Sequence, residues 1–239
     1  KKGRIQIMLA PHAAYTCPPD TLKKALKIAD RYGLGIQIHV SETLDEQRMI
    51  REQYGKTPVA HLRDVGLFER PVLAAHNPQS NMKLASGIAP VSRMLEAGIN
   101  VGIGTDGPSS NNDLDMWEEL RTASLLQKVA MLNPCALTAY QTLRMATVHG
   151  AKAIGREDEL GVIAPGALAD LILVDMRRPH LSPQNDLIAN LVYCGKASDV
   201  DTVIVDGQVV VKEHQLLMAD VQTLCCEAGE RVGEIKKRP

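Results

Sequence analysis

Two residues three apart, His39 and Glu42 in "HVSE", and an aspartate behind a glycine-rich run, Asp106 in "GIGTDG", are the side chains best placed to do chemistry. An imidazole and a carboxylate at one strand end can converge on a ligand, although H-x-x-E is a short spacing that also arises incidentally. Asp106 is more telling. A carboxylate after a buried apolar strand is costly unless it binds a metal, pairs with a cation or accepts several hydrogen bonds. His12 and His76 also stand at strand ends. Singly, each would pass for a satisfied core or surface histidine; together with His39 and Asp106 they point to one site. Imidazoles and a carboxylate are the ligand types of a catalytic zinc ion, which keeps one position open for water. Such a water is acidified to near neutral pH, and a nearby aspartate can take its proton. These residues alone do not make a comfortable set of three metal ligands.

The remaining histidines read as structural: His61 in a helical pattern, His180 beside Pro179, His214 after the last hairpin, and His149 at a helix end where charge-dipole attraction would account for it. Neither a G-x-G-x-x-G loop nor a P-loop occurs. Vicinal Cys225 and Cys226 lack any surrounding redox motif and read as packing or surface residues.

The elements that must position these groups are strands of period 2 followed by helical patterns, the signature of β/α units and a parallel sheet. Ile5, Ile7 and Leu9 alternate with Gln6, Met8, Ala10 and His12; Ile36, Ile38 and Val40 with Gln37 and His39; Ile99, Val101 and Ile103 with Gly102, Gly104 and Asp106. Polar residues at strand C-termini on the less apolar face suit a (β/α)8 barrel, with a doubly wound sheet as the alternative. Glycines at 102 and 104 favour the barrel by leaving room beneath a ligand. "CPPDTLKKALKIADRYG" reads as a helix from near Asp20 to Gly33, with Leu22, Ala25, Leu26 and Ala29 forming its stripe. "NPCALTAYQTLRMATVHGAKAIG" reads as one or two helices closing the series. After residue 157 the texture becomes β-rich, with a hairpin at Asp206-Gly207 and a polar helix from about Asp220. The division is therefore 1–157 for barrel units, 158–212 for a small β subdomain and 213–239 for a helical tail.

Strands near 5–10, 36–40, 71–76 and 99–104 number only four, too few to close an eight-stranded barrel. "PVLAAHNPQSNMK" sharpens the problem, because a strand ending in His76 runs straight into a turn-forming loop with no helix between.

A balance of 27 Lys+Arg against 28 Asp+Glu, with 3% aromatics, offers neither the basic footprint nor the stacking rings of a nucleic-acid binder. Five cysteines fit no disulfide framework, and a reducing cytoplasm is the expected setting. No apolar run is long enough for a membrane helix, and the first residues lack a signal-peptide layout.

The order of motifs is specific: "PHAAYTC", "HVSET", a strand-end His, "NPQSNMKLASGIAP", "GTDGPSSNNDLDMWEELRTA", then "PGALADLILVD". It resembles the amidohydrolase superfamily over essentially the whole chain, most nearly its deaminases of 5-methylthioadenosine and S-adenosylhomocysteine. The resemblance implies an α/β fold, a (β/α)8 TIM-type barrel with a β-sandwich, and one divalent metal, usually Zn2+, with Fe2+ or another ion as variants. The implied reaction is hydrolytic deamination of an adenosine-type nucleoside to its inosine form and ammonia. By motif, His39 would be a metal ligand, and Asp106 both a ligand and the proton-transferring base. Glu42 would bond the purine ring and shuttle a proton to it, His76 would orient the attacking hydroxide or stabilise the tetrahedral intermediate, and His12 would contact substrate.

The family's first-strand H-x-H, source of its other two metal ligands, has no counterpart here. The expectation is of a member lacking its first part and an internal piece at His76-Asn77. Partners are then a small purine nucleoside, no nucleic acid and no membrane, with a homo-oligomer left open. The alternatives are a guanine, pterin or chlorotriazine hydrolase of the same superfamily, or a non-catalytic fragment or paralogue.

Overall fold

The computed structural model describes residues 4–69 and 73–237, so positions 71 and 72 of the third expected strand lie outside the described residues. In the first group of elements, β1 (Met8–Leu9) and β2 (Gly35–Ile36) pair in parallel, Met8 opposite Gly35. Both are shorter than their alternation suggested, yet the ladder continues from Gln37 N–H to Leu9 O and from His39 N–H to His12 O, each 2.9 Å. Between them α1 (Pro19–Tyr32) starts on a proline rather than an Asp20 cap, because a first-turn residue has no intrahelical use for its N–H. It stops at Gly33, whose φ of 63° is the left-handed cap glycine adopts at little cost. Thr43 caps α2 (Leu44–Tyr54) by accepting the Glu46 N–H, and Thr57 caps α3 (Pro58–Val65) by accepting that of Ala60. Leu22 of α1, Ile50 of α2 and Leu62 of α3 form a core with Ala14 and Leu67, on which Ile36, Ile38 and Val40 pack. The apolar face expected of the second strand is therefore real. That of the first is open: Ile5 and Ile7 are 88% and 73% exposed.

In the second group, β3 (Leu73–His76) passes through Asn77 alone into α4 (Pro78–Lys83), then α5 (Val91–Glu96) and β4 (Asn100–Ile103). β3 and β4 are parallel and directly paired, His76 opposite Ile103. Then follow α6 (Pro108–Asn111), α7 (Met116–Met131), α8 (Ala139–Ala146) and α9 (Val148–Ala153), so the closing helical segment is two helices. Val91, Val101, Ala123, Leu137 and Met145 make a separate core. All four expected strands exist and are parallel, but as two pairs; among the described residues no ladder joins β2 to β3, and the barrel is not closed.

The β-rich region is one antiparallel sheet of β5 (Leu171–Val174), β6 (Val200–Val205), β7 (Gln208–Lys212) and β8 (Gln215–Leu216), with α10 (Leu187–Cys194) between its first two strands. Among the described residues this region is one layer and not the expected sandwich, and consecutive Ile172 and Leu173, which point to opposite faces, are both exposed. Asp206 and Gly207, at φ 55° and 74°, turn the β6–β7 hairpin as expected. His214 does not follow the last hairpin but sits in the β7–β8 turn, where its Nδ1 donates to Val200 O at 3.0 Å. His149 lies in the first turn of α9, the wrong end for a dipole-stabilised cation. Its Nδ1 instead donates to Val101 O at 3.1 Å and ties α9 to β4. α11 (Val221–Ile235), capped by Asp220, carries the exposed Cys225 and Cys226. No helix among the described residues is long and apolar enough to cross a membrane.

Candidate active site

The β1–β2 ladder brings His12 and His39 together. Ala13 bridges His39 in parallel register, and the two imidazoles meet edge-on with centroids 5.2 Å apart. Both side chains are exposed, and His12 is steadied by Thr16 Oγ1 at 2.8 Å from its Nδ1. Glu42 is half-buried just ahead of α2, its backbone N–H donating at 2.8 Å to Oε2 of the fully buried Glu46. The chain between bends at Ser41, φ 57°, which separates the strand direction at His39 from the helix direction after Glu42.

Asp106 follows β4 at φ 62°, a left-handed conformation that aspartate tolerates better than most residues. Its Oδ2 accepts hydroxyl hydrogen bonds from Ser80 at 2.7 Å and Ser110 at 2.6 Å. The Ser110 bond is the largest influence on its acidity; with Ser80, the Gly107 N–H and nearby His39 it outweighs partial burial and holds the carboxyl below its ordinary pKa. Gly104 lets the Asn77 side chain approach: a Cβ there would lie 2.6 Å from Asn77 Oδ1 and push that side chain aside. Gly102 does not leave room for a ligand as expected. It faces α9, its missing Cβ direction meeting Gly150 Cα and Met145 O at 3.7 Å.

His76 is 4% exposed and neither ring nitrogen has a hydrogen-bond partner. Burial alone pushes its pKa down to about 4, so it is neutral at pH 7. Of the five residues singled out, His12, His39 and Asp106 share one region, Glu42 follows three residues after His39, and His76 is enclosed beneath the loops.

Sequence reasoning missed Glu119. This fully buried carboxylate of α7 accepts the Gln79 N–H through Oε2 at 3.2 Å and Asn111 Nδ2 through Oε1 at 2.6 Å. Desolvation raises its pKa, with those two bonds opposing. An acidic residue in a helix's first turn is ordinary, so only its depth distinguishes it.

Catalytic zinc takes three protein ligands and a water. His39 and Asp106 lie close enough to influence each other electrostatically, but among the described residues no three His, Cys, Asp or Glu side chains could hold one ion. The described residues alone therefore do not fit a zinc site.

The model of the amidohydrolase family matches residues 1–210. A 5-methylthioadenosine/S-adenosylhomocysteine deaminase of Pelotomaculum thermopropionicum is 52% identical over 257 residues, covering 99% of this chain and 59% of that protein. One of the same name from Desulforamulus reducens is 49% identical over 254 residues, covering 98% and 59%. The chain thus spans about 59% of the length of these curated relatives. Both alignments exceed the 239 residues of this chain, so each relative carries residues inside the matched region that this chain lacks. Among solved structures, an adenosine deaminase from Xanthomonas campestris with bound zinc is 34% identical with a TM-score of 0.93, covering 97% of this chain and 57% of that one. An atrazine chlorohydrolase from Arthrobacter aurescens, complexed with zinc, is 27% identical with a TM-score of 0.85 over 93% and 54%. With a family match over residues 1–210 and relatives about half identical along nearly its whole length, this chain belongs to the amidohydrolase family.

Proposed function

We propose that this chain carries one side of the active site of a metal-dependent aminohydrolase that deaminates adenosine-type nucleosides, 5-methylthioadenosine, S-adenosylhomocysteine or adenosine, to their inosine forms with release of ammonia. The observation that carries the reading is Asp106, set at a strand end beside His39 with one carboxylate oxygen gripped by two serines and its acidity increased. The names of the relatives supply the substrate class. His39 and Asp106 would hold the divalent metal, zinc in the solved neighbours, with the remaining ligands coming from the part of the relatives that this chain does not match. In the same reading the two strand pairs belong to a (β/α)8 barrel in residues 1–157, whose missing unit falls at His76-Asn77. The direct step from β3 to α4 supports that seam, and the surplus residues in the alignment agree with an internal gap somewhere in the matched region.

The roles of this chain's residues are those the family resemblance implies, and their settings support several of them. Asp106 stays ionised at neutral pH and takes the proton of the attacking water. Glu42 passes a proton to the purine ring, and exposed His12 contacts the substrate. His76, neutral at pH 7, orients the attacking group as donor or acceptor rather than as a cation. Five free thiols, Cys17, Cys135, Cys194, Cys225 and Cys226, suit a reducing cytoplasm.

A second reading, a paralogue that binds without turnover, is favoured by one observation: the incomplete set of metal donors among the described residues. Metal analysis and ammonia release from the three nucleosides by the full-length gene product separate the two. Stoichiometric metal with no ammonia from any of them removes the substrate assignment, and failure to retain zinc, iron or any other divalent metal removes the enzyme.

A further inference from the structure

We propose that Glu119 is a positioning residue for Asp106, holding with its two oxygens the two short helices, α4 and α6, whose serines grip that carboxylate. Its Oε2 takes the N–H of Gln79 at 3.2 Å, and the next residue, Ser80, donates to Asp106 Oδ2 at 2.7 Å. Its Oε1 takes Asn111 Nδ2 at 2.6 Å, and the preceding residue, Ser110, donates to the same Oδ2 at 2.6 Å. Both arms that start on Glu119 therefore end on one oxygen of Asp106. A third link runs through the backbone: Asn111 Nδ2 also donates to Thr105 O at 2.7 Å, fixing the peptide plane that enters Asp106 at its left-handed φ of 62°. The direction of the Asp106 side chain follows from that plane, so Asn111 sets it and Glu119 sets Asn111.

The chemistry of position 119 is narrow. Glu119 is fully buried, where charge-assisted bonds are strong and an unmatched donor is costly. Both partners are donors, so the site needs two acceptor oxygens. Glutamine would turn an NH2 group toward one of those donors, and aspartate, one methylene shorter, would not reach both helices.

The proposal rests on the deaminase reading for what Asp106 does, and on the geometry alone for how it is held, so the test has two parts. In the zinc-loaded full-length gene product, E119Q should lower kcat by about tenfold or more while KM and zinc content stay near wild type. In N111D/E119Q the amide introduced at position 119 donates to the carboxylate introduced at position 111, while its oxygen keeps the Gln79 N–H. The new carboxylate, however, has no donor for Thr105 O and meets it acceptor to acceptor. The double variant should therefore restore the contact between positions 119 and 111 and still leave kcat low. Recovery of kcat in the double variant, or wild-type kcat in E119Q, overturns the proposal. If E119Q does not fold, N111A cuts one arm only and must itself lower kcat several-fold; unchanged kcat is equally fatal.

The second part needs no activity. Hydrogen exchange on the 239-residue chain should show E119Q speeding amide exchange in both 77–83 and 104–111 while residues 19–32 are unchanged. Faster exchange in one segment alone, or in neither, overturns the two-armed support even if no nucleoside proves to be a substrate. An inactive wild type with the expected exchange pattern overturns the deaminase reading and leaves the positioning intact.

Discussion

Lowering the pH should weaken this fold through a single enclosed imidazole. His76 is 4% exposed with no partner on either nitrogen, and burial moves its pKa from 6.5 to about 4. A depressed folded-state pKa contributes stability that is fully present above 6.5 and is lost as pH falls toward 4, because the unfolded chain binds the proton first. Each unit of difference is worth 1.36 kcal/mol, so the loss on going from pH 7.5 is about 2 kcal/mol at pH 5 and about 3 kcal/mol at pH 4. The comparison is between wild type and His76→Leu, which removes the titration and keeps an apolar side chain of useful size. Trp117, the one tryptophan, stands on α7, whose Ala123 packs with Val101 of β4, and bonds Leu191 O through Nε1 at 2.8 Å, so its fluorescence in urea reports the right unit. His61, also depressed by burial, contributes equally to both proteins and cancels. The wild type should lose about 2 kcal/mol more than His76→Leu between pH 7.5 and 5. Parallel pH dependences for the two proteins would show that His76 is solvated or hydrogen-bonded, and would refute the reasoning.

Replacing Asp106 by Asn in the full-length gene product should cut ammonia release by roughly 10²–10⁴-fold with an unchanged circular dichroism spectrum, the loss expected on removing a general base. Gly195→Ala places a Cβ 2.2 Å from Trp117 Nε1 and 2.5 Å from Leu191 O, so urea unfolding should show a loss of roughly 2–3 kcal/mol. Thr138→Ala breaks a reciprocal capping box with Gln141 at the start of α8 and should cost about 1 kcal/mol by the same assay. Ile5→Lys with Ile7→Lys should leave stability within about 0.5 kcal/mol, since both side chains are in water, and should reduce self-association in sedimentation velocity.

Alternation located three of the four parallel strands, and the third in chain order, β3, was legible only as a short apolar run ending in His76. Alternation could not say which strands pair: Ile5 and Ile7 carry the same pattern as Ile36 and Ile38 yet stand in water. A glycine in a strand announces a close approach without its side, so Gly102 read as space for a ligand and proved to be space for α9. His39 and Asp106 were legible because charged and titratable groups at strand ends are unusual. Ser80, Ser110 and Glu119 were not, being ordinary short-helix and first-turn residues until hydrogen bonding and depth set them apart.

The two cores also divide the packing of the described residues into two groups. Among the described residues, every extensive contact between elements falls within 4–69 or within the remainder, and the Arg4–Asp170 ion pair is a tie across. His12, His39 and Glu42 stand on one side of that division; His76, Asp106 and Glu119 stand on the other. Anything gripping both sides works as a rivet: at a hundred times its dissociation constant it would add about 2.7 kcal/mol to the joined form and nothing to either side alone. Two melting events should then merge into one as the rivet is titrated in, which makes unfolding cooperativity itself a measure of occupancy.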